Sequence, residues 1–203
     1  MAVSAATLRP RRSLPWLAAT LLVAHLACAD APHDIVELDS PRSHATFRVK
    51  VMWLIGIRGE FSAVQGNVDI DRFRSQAVVD ARIDADSVRM NVRGYEDWVK
   101  SAEFFDASVH PEIRFVSDPF PLQRLRNGGE LPGTLTLRGV SQPVRFMLEP
   151  ATCAQPGHDC PIVATGMISR SPFGMRSRLG TLSDKVELDF SVFTTPSATL
   201  LAP

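Results

Sequence analysis

The chain has 203 residues, with 22 basic and 22 acidic side chains and no formal net charge. One domain's length with balanced charge and no basic stripe argues against a nucleic-acid partner. Three cysteines without a C-x-x-C spacing give no reason to expect a cofactor or a resident metal.

Residues 1–29 read as an export signal. Arg9, Arg11 and Arg12 form a positive start, an apolar run follows from Leu14 to Ala27, and Ala27-Cys28-Ala29 fits a cleavage site before Asp30. The run is shorter than the roughly 20 apolar residues of a membrane span. Cys28 offers a second reading, acylation as a lipoprotein. There, His25 and Leu26 stand where a Leu and a small residue are wanted, so cleavage is favoured. The expected location is the periplasm.

Residues 30–193 are expected to form one domain, and residues 194–203 a frayed tail. Phe47, Val49 and Val51 alternate with Arg48 and Lys50, the period of a strand with one wet face. Trp53 to Ile57 leads through Arg58-Gly59-Glu60 to Phe61. Val64 to Ile70 and Ala77 to Ala85 alternate again. Val92, Tyr95, Trp98 and Val99 then recur at helical spacing, which predicts a short helix and a further turn over Ala102 to Phe105. Strands are predicted at Glu112 to Ser117, Leu122 to Arg126, Glu130 to Arg138, Pro143 to Glu149, Pro161 to Arg170 and Lys185 to Phe193. Asn127-Gly128-Gly129 reads as a hairpin turn. The pattern is all-β, a sandwich or closed barrel, with a barrel and one helix over an opening preferred.

Cys153 and Cys160 would close a short ring in an oxidising compartment, and a structural disulfide is the preferred reading. A metal site using His158 and Asp159 is its rival. Catalytic chemistry finds little support. There is no G-x-S-x-G, and His33, His44, His110 and His158 are scattered. Asp84, Asp86, Glu96, Asp97, Glu103 and Asp106 gather around the helix, where caps and solvated faces account for them. The aromatic residues are the stronger signal. Phe47, Trp53, Phe61, Trp98, Phe104, Phe105, Phe115, Phe146 and Phe173 would fill a barrel core or wall an apolar cavity. Arg58 and Arg170 follow apolar strand segments and could meet an anionic head group at a mouth.

Several stretches carry a resemblance. They are Arg58-Gly59-x-Phe61, Asp84-Ala85-x-Ser87-Val88, Ser101-x-x-Phe104-Phe105-Asp106 and Pro111-x-Ile113-x-Phe115-x-Ser117. Two more are Gly133-x-Leu135-Thr136-Leu137-x-Gly139-Val140-Ser141-x-Pro143-Val144 and Ser169-Arg170-Ser171-x-Phe173-Gly174-Met175. In order and spacing the chain resembles the YceI-like polyisoprenoid-binding family from about Val36 to Val192. The resemblance implies an eight-stranded antiparallel lipocalin-like β-barrel with a short helix over one end. It implies an apolar tunnel that holds a long isoprenoid chain, with polar groups near the mouth for its head, and no enzymatic activity. The expected partner is an isoprenoid lipid or quinone, exchanged near a membrane. The expected tunnel lining is Phe47, Trp53, Phe61, Trp98, Phe104, Phe105, Phe115 and Phe173, with Arg58 and Arg170 at the head group.

The chain departs from the family's pattern at three polar positions. Arg42 stands for the histidine of the opening Asp-Pro-x-His-Ser, Val51 replaces the histidine closing the first strand, and Tyr95-Glu96-Asp97-Trp98-Val99 replaces R-D-x-H-L. These bear on head-group recognition rather than on the barrel. An enzyme acting on a lipid and a filled barrel serving as a partner-binding module are the rival readings.

Overall fold

The computed structural model describes residues 33–196, apart from 53 and 63. The signal-type segment, the end of the tail and Trp53 therefore lie outside the described residues.

Period-two alternation underlies most of the elements. The strands and helices are β1 (His33–Glu37), β2 (His44–Val51), β3 (Ile55–Phe61), β4 (Val64–Asp71), β5 (Gln76–Asp84), β6 (Val88–Met90), α1 (Tyr95–Lys100), β7 (Glu112–Ser117), β8 (Phe120–Pro121), α2 (Arg124–Asn127), β9 (Gly129–Leu137), β10 (Val140–Leu148), β11 (Ile162–Ser169) and β12 (Leu182–Val192). They form one curled, wholly antiparallel sheet in the order β1-β4-β5-β7-β9-β10-β11-β12-β2-β3-β6, with β8 added on β5. The curl brings the end of β1 to the end of β12. Leu38 bridges Thr194, and its N–H donates to the Gly66 carbonyl at 2.9 Å.

The lipocalin-like, all-β architecture is the expected one, with twelve strands among the described residues in place of eight. β6 and β8 have three and two residues, and β1 has five at a sheet edge, too short to show an alternation in the sequence. The predicted strand from Leu122 to Arg126 is instead the single turn of α2. Leu122 and Leu125, three apart, both pack on the core, and Gly128 at φ 73° closes the turn by donating to the Arg124 carbonyl. The tight hairpin lies elsewhere, at Arg138-Gly139, whose φ values of 53° and 69° match a two-residue turn between Leu137 and Val140.

The ladders define two ends. The β2–β3 tip, the start of β12, the end of β11, the β9–β10 turn, the start of β7 and the end of β5 share one end. The β4–β5 turn and the β10–β11 connection share the other. α1 and the turn after it lie between β6 and β7 and cover the first end. Ser101 stops α1 by turning to an extended backbone, and its hydroxyl donates to the Trp98 carbonyl at 2.7 Å.

Candidate ligand-binding cavity

Inward residues of nearly every strand face one apolar interior. Val49 and Ile57 come from β2 and β3, Leu131, Leu135 and Leu137 from β9, and Val186, Leu188, Phe190 and Val192 from β12. The cavity runs the length of the barrel, from Leu148, Ile162 and Val192 at one end to Tyr95, Trp98 and Leu182 beneath α1. About 180 Å³ inside is open to molecules the size of water.

Aromatic rings occupy much of the remainder. Phe47, Phe61 and Phe105 meet pairwise with centroids 5.5 to 5.7 Å apart. Phe115 and Phe190 each pack on Phe146 at 5.0 Å. At the covered end, Trp98 packs on Phe104 at 4.5 Å and on Tyr95 at 5.6 Å. The Trp98 indole N–H donates to the Glu103 carboxylate, and the Arg178 guanidinium lies 5.1 Å over the indole ring. That hydrogen bond, with the Arg178 charge adding to it, holds Glu103 below its ordinary carboxylate pKa.

Arg170 is the one ionised side chain in the wall among the described residues. It is 2 % exposed, and its three nitrogens each donate to a backbone carbonyl: Nε to Ser183 at 2.9 Å, Nη1 to Met175 at 2.6 Å and Nη2 to Leu182 at 3.0 Å. Burial lowers its pKa from the usual guanidinium value. Its geometry straps the 170–183 loop to the end of the barrel.

Of the residues expected in the tunnel, Phe47, Phe61, Trp98, Phe104, Phe105 and Phe115 line the cavity. Phe173 is buried in the short turn Ser171–Phe173 and lines a separate outer groove beside Pro143 and Met167. Trp53 lies outside the described residues. Arg58 points to solvent, because Ile57 and Gly59 take the inward phase of β3. Phe190 belongs to the lining although the sequence reading does not include it. Its alternation with Val186, Leu188 and Val192 is the signal that marks it.

Cys153 and Cys160 are disulfide-bonded, with Cα atoms 6.0 Å apart, in the connection at the far end from α1. His158 pairs with Asp159 at 2.9 Å, and among the described residues no three potential ligands gather around a metal position. Of the acidic residues near α1, Asp84, Asp86, Glu96, Glu103 and Asp106 are engaged locally. Asp84 accepts from the Asp86 N–H, Glu96 from the Met90 N–H, and Asp86 pairs with Lys100 at 3.2 Å.

The sequence pattern of the YceI-like domain matches residues 37–193. A UPF0312 protein of Pectobacterium atrosepticum is 25 % identical over 186 residues, covering 90 % of this chain and 96 % of its own. Another from Yersinia enterocolitica is 29 % identical over 164 residues, covering 77 % and 83 %. Among solved structures, BcnA of Burkholderia cenocepacia superposes with a TM-score of 0.62 at 23 % identity, covering 76 % of this chain and 98 % of that one. A polyisoprenoid binding domain from Saccharophagus degradans, implicated in plant cell wall breakdown, gives 0.59 at 14 % identity, covering 78 % and 97 %. These likenesses establish a shared fold.

Proposed function

Since the chain belongs to the YceI-like family, we propose that it is a non-catalytic carrier holding an isoprenoid lipid, of polyprenyl or quinone type, inside its barrel. The observation that carries this reading is the lining of the cavity, which is apolar apart from Thr46, Tyr95 and Arg170. An isoprenoid tail has no hydrogen-bonding groups, so such a wall costs it nothing in unmet polar contacts. Burial would stabilise the complex by about 2.5 kcal/mol for each ~100 Å² of apolar surface removed from water. The name of the Saccharophagus relative points to the same class of ligand.

The wall also argues against the enzymatic rival, because acid–base chemistry needs two titratable groups within reach of each other. The lining has Arg170, already committed to carbonyls, and Tyr95. Residues 1–29 support export, which would place the carrier in the periplasm.

The phenylalanine clusters favour one other reading, a barrel filled by its own side chains. Mass spectrometry of an organic extract of the protein purified from its native compartment separates the two. A stoichiometric isoprenoid is the expected result, and Phe104→Asp should remove it from a still-folded protein. An extract empty of lipid, with no uptake of added prenyl lipid, would leave the filled barrel standing.

A further inference from the structure

The tip of the β2–β3 hairpin is chemically out of place. Tight turns ordinarily carry Asn, Gly or Asp. Here the turn and its flank are Met52-Trp53-Leu54-Ile55. Met52 is 64 % exposed, Leu54 89 % and Ile55 63 %, and Leu179 is exposed nearby on the loop whose Thr181 carbonyl accepts the Met52 N–H at 2.7 Å. Three exposed apolar side chains within four positions disfavour solubility unless they meet something.

Position and charge say what they meet. Val51 and Ile55 continue the inward phase of Val49 and Ile57, which line the cavity, so an apolar track leads from the interior to the tip. The tip lies at the end covered by α1, where Tyr95 is both exposed and part of the cavity wall. The three segments bordering this sector, residues 45–59, 88–95 and 171–183, have no acidic residue. They do carry Lys50, Arg58, Arg93 and Arg176, which form no ion pair among the described residues, besides Arg48, Arg89 and Arg178, which do. Of the acids at this end, Asp86, Glu96, Glu103 and Asp106 face cations, and Asp84 and Asp184 accept backbone N–H groups. Asp97 and Glu112 form no ion pair among the described residues, but they lie on α1 and the start of β7 rather than on the hairpin.

We propose that the Met52–Ile55 tip, with Leu179 beside it and Lys50 and Arg58 on the same hairpin, is a docking surface for an anionic lipid leaflet. The apolar tip enters the interfacial region while the cations meet the head groups, the division of labour of interfacial membrane anchors. Docking there would turn the covered end of the cavity toward the bilayer. The surface stands on its own residues, and only this last consequence rests on the carrier reading.

The test places an environment-sensitive fluorophore on Leu54→Cys, in the full chain with Cys28→Ser, and adds vesicles of phosphatidylcholine with or without phosphatidylglycerol. The same label on Phe73→Cys, exposed in the β4–β5 turn at the other end, is the control. The expected result is a blue shift at position 54 with anionic vesicles, absent at 73 and reduced by high salt. Lys50→Gln and Arg58→Gln should each weaken vesicle affinity roughly fivefold. An unchanged emission at 54 overturns the proposal, as does an equal response to neutral vesicles. A blue shift that grows with protein concentration without vesicles overturns it in favour of a second copy of the chain. The vesicles contain no isoprenoid, so a failed docking and a failed carrier reading are told apart.

Discussion

Phe146 in β10 faces Gly166 across the β10–β11 ladder, and its ring lies where any side chain at 166 would have to go. Phe47 and Gly59 stand in the same relation across β2 and β3, with the Met90 sulfur also close. In both pairs an inward glycine lets a large ring lean over the neighbouring strand. The Arg58-Gly59-x-Phe61 stretch thereby has a physical reason, since a Cβ at position 59 would collide with the cavity wall.

Gly166→Ala and Gly59→Ala should therefore destabilise the barrel by about 1–3 kcal/mol each, as overpacking does. Phe146→Leu should recover part of the loss caused by Gly166→Ala and none of that caused by Gly59→Ala. Urea unfolding of the two double-mutant cycles measures the difference. Equal behaviour in both cycles would show that ring and glycine are not coupled.

Much of this architecture is legible in the residues. The alternation of Phe47, Val49 and Val51, and of the β5 residues around Ile83, locates strands and their inward faces, and the spacing of Tyr95, Trp98 and Val99 locates α1. The same alternation places Arg58 outside, as a neighbour of inward Ile57 and Gly59. Arg170 cannot be read this way. Its three acceptors come from residues 175, 182 and 183, brought together by a loop with no periodic signal. The tip at Met52 to Ile55 resembles strand interior, because an apolar run fits a buried strand as well as an exposed turn.

Arg170 makes a prediction of its own. Arg170→Met keeps much of the volume but leaves the Ser183, Met175 and Leu182 carbonyls without their donor. Unsatisfied buried acceptors cost about 1–3 kcal/mol apiece, so a loss of at least ~3 kcal/mol is expected in chemical denaturation. Arg170→Lys should recover less than half of it, because an ammonium lacks the planar fork that reaches three carbonyls. Full stability of Arg170→Met would show that the strap is not needed.

Glu103 gives the covered end a pH dependence. Its folded pKa lies below the ordinary 4.5, first through the Trp98 hydrogen bond. A depressed carboxylate contributes stability that is fully present above the unfolded pKa and is lost as pH falls through the folded one. Wild type should therefore be more stable than Glu103→Gln near neutrality, and the gap should narrow as pH falls below the ordinary 4.5 toward the lower folded pKa. Melting temperatures of the two proteins from pH 7 to pH 3 provide the comparison. A gap constant across that range would mean that the carboxylate charge is not what holds Trp98.

The Cys153–Cys160 bond closes a ring of eight residues, counting both cysteines. Restricting so short a loop in the unfolded chain stabilises the protein by about 2.5 kcal/mol at most. It sits at the end of the barrel away from α1. Reduction should thus lower the unfolding free energy modestly and leave uptake of an apolar fluorescent probe unchanged. Loss of probe uptake on reduction, in protein that remains folded, would assign this loop a part in the cavity.

Two phenylalanines test how the interior is reached. Phe105 comes from the turn after α1 and touches Phe47 and Phe61, whereas Phe146 comes from the wall and touches Phe115 and Phe190. Truncating the first removes part of the cover, and truncating the second enlarges the interior. Phe105→Ala should speed both uptake and release of an apolar probe, leaving its equilibrium affinity within about twofold, a change below 0.5 kcal/mol. Phe146→Ala should cost about 3–5 kcal/mol of stability, while the space it leaves admits a bulkier probe. Stopped-flow fluorescence separates rate from affinity in both variants. If Phe105→Ala leaves both rates untouched, the turn after α1 is not the way in, and access must be sought elsewhere around the barrel.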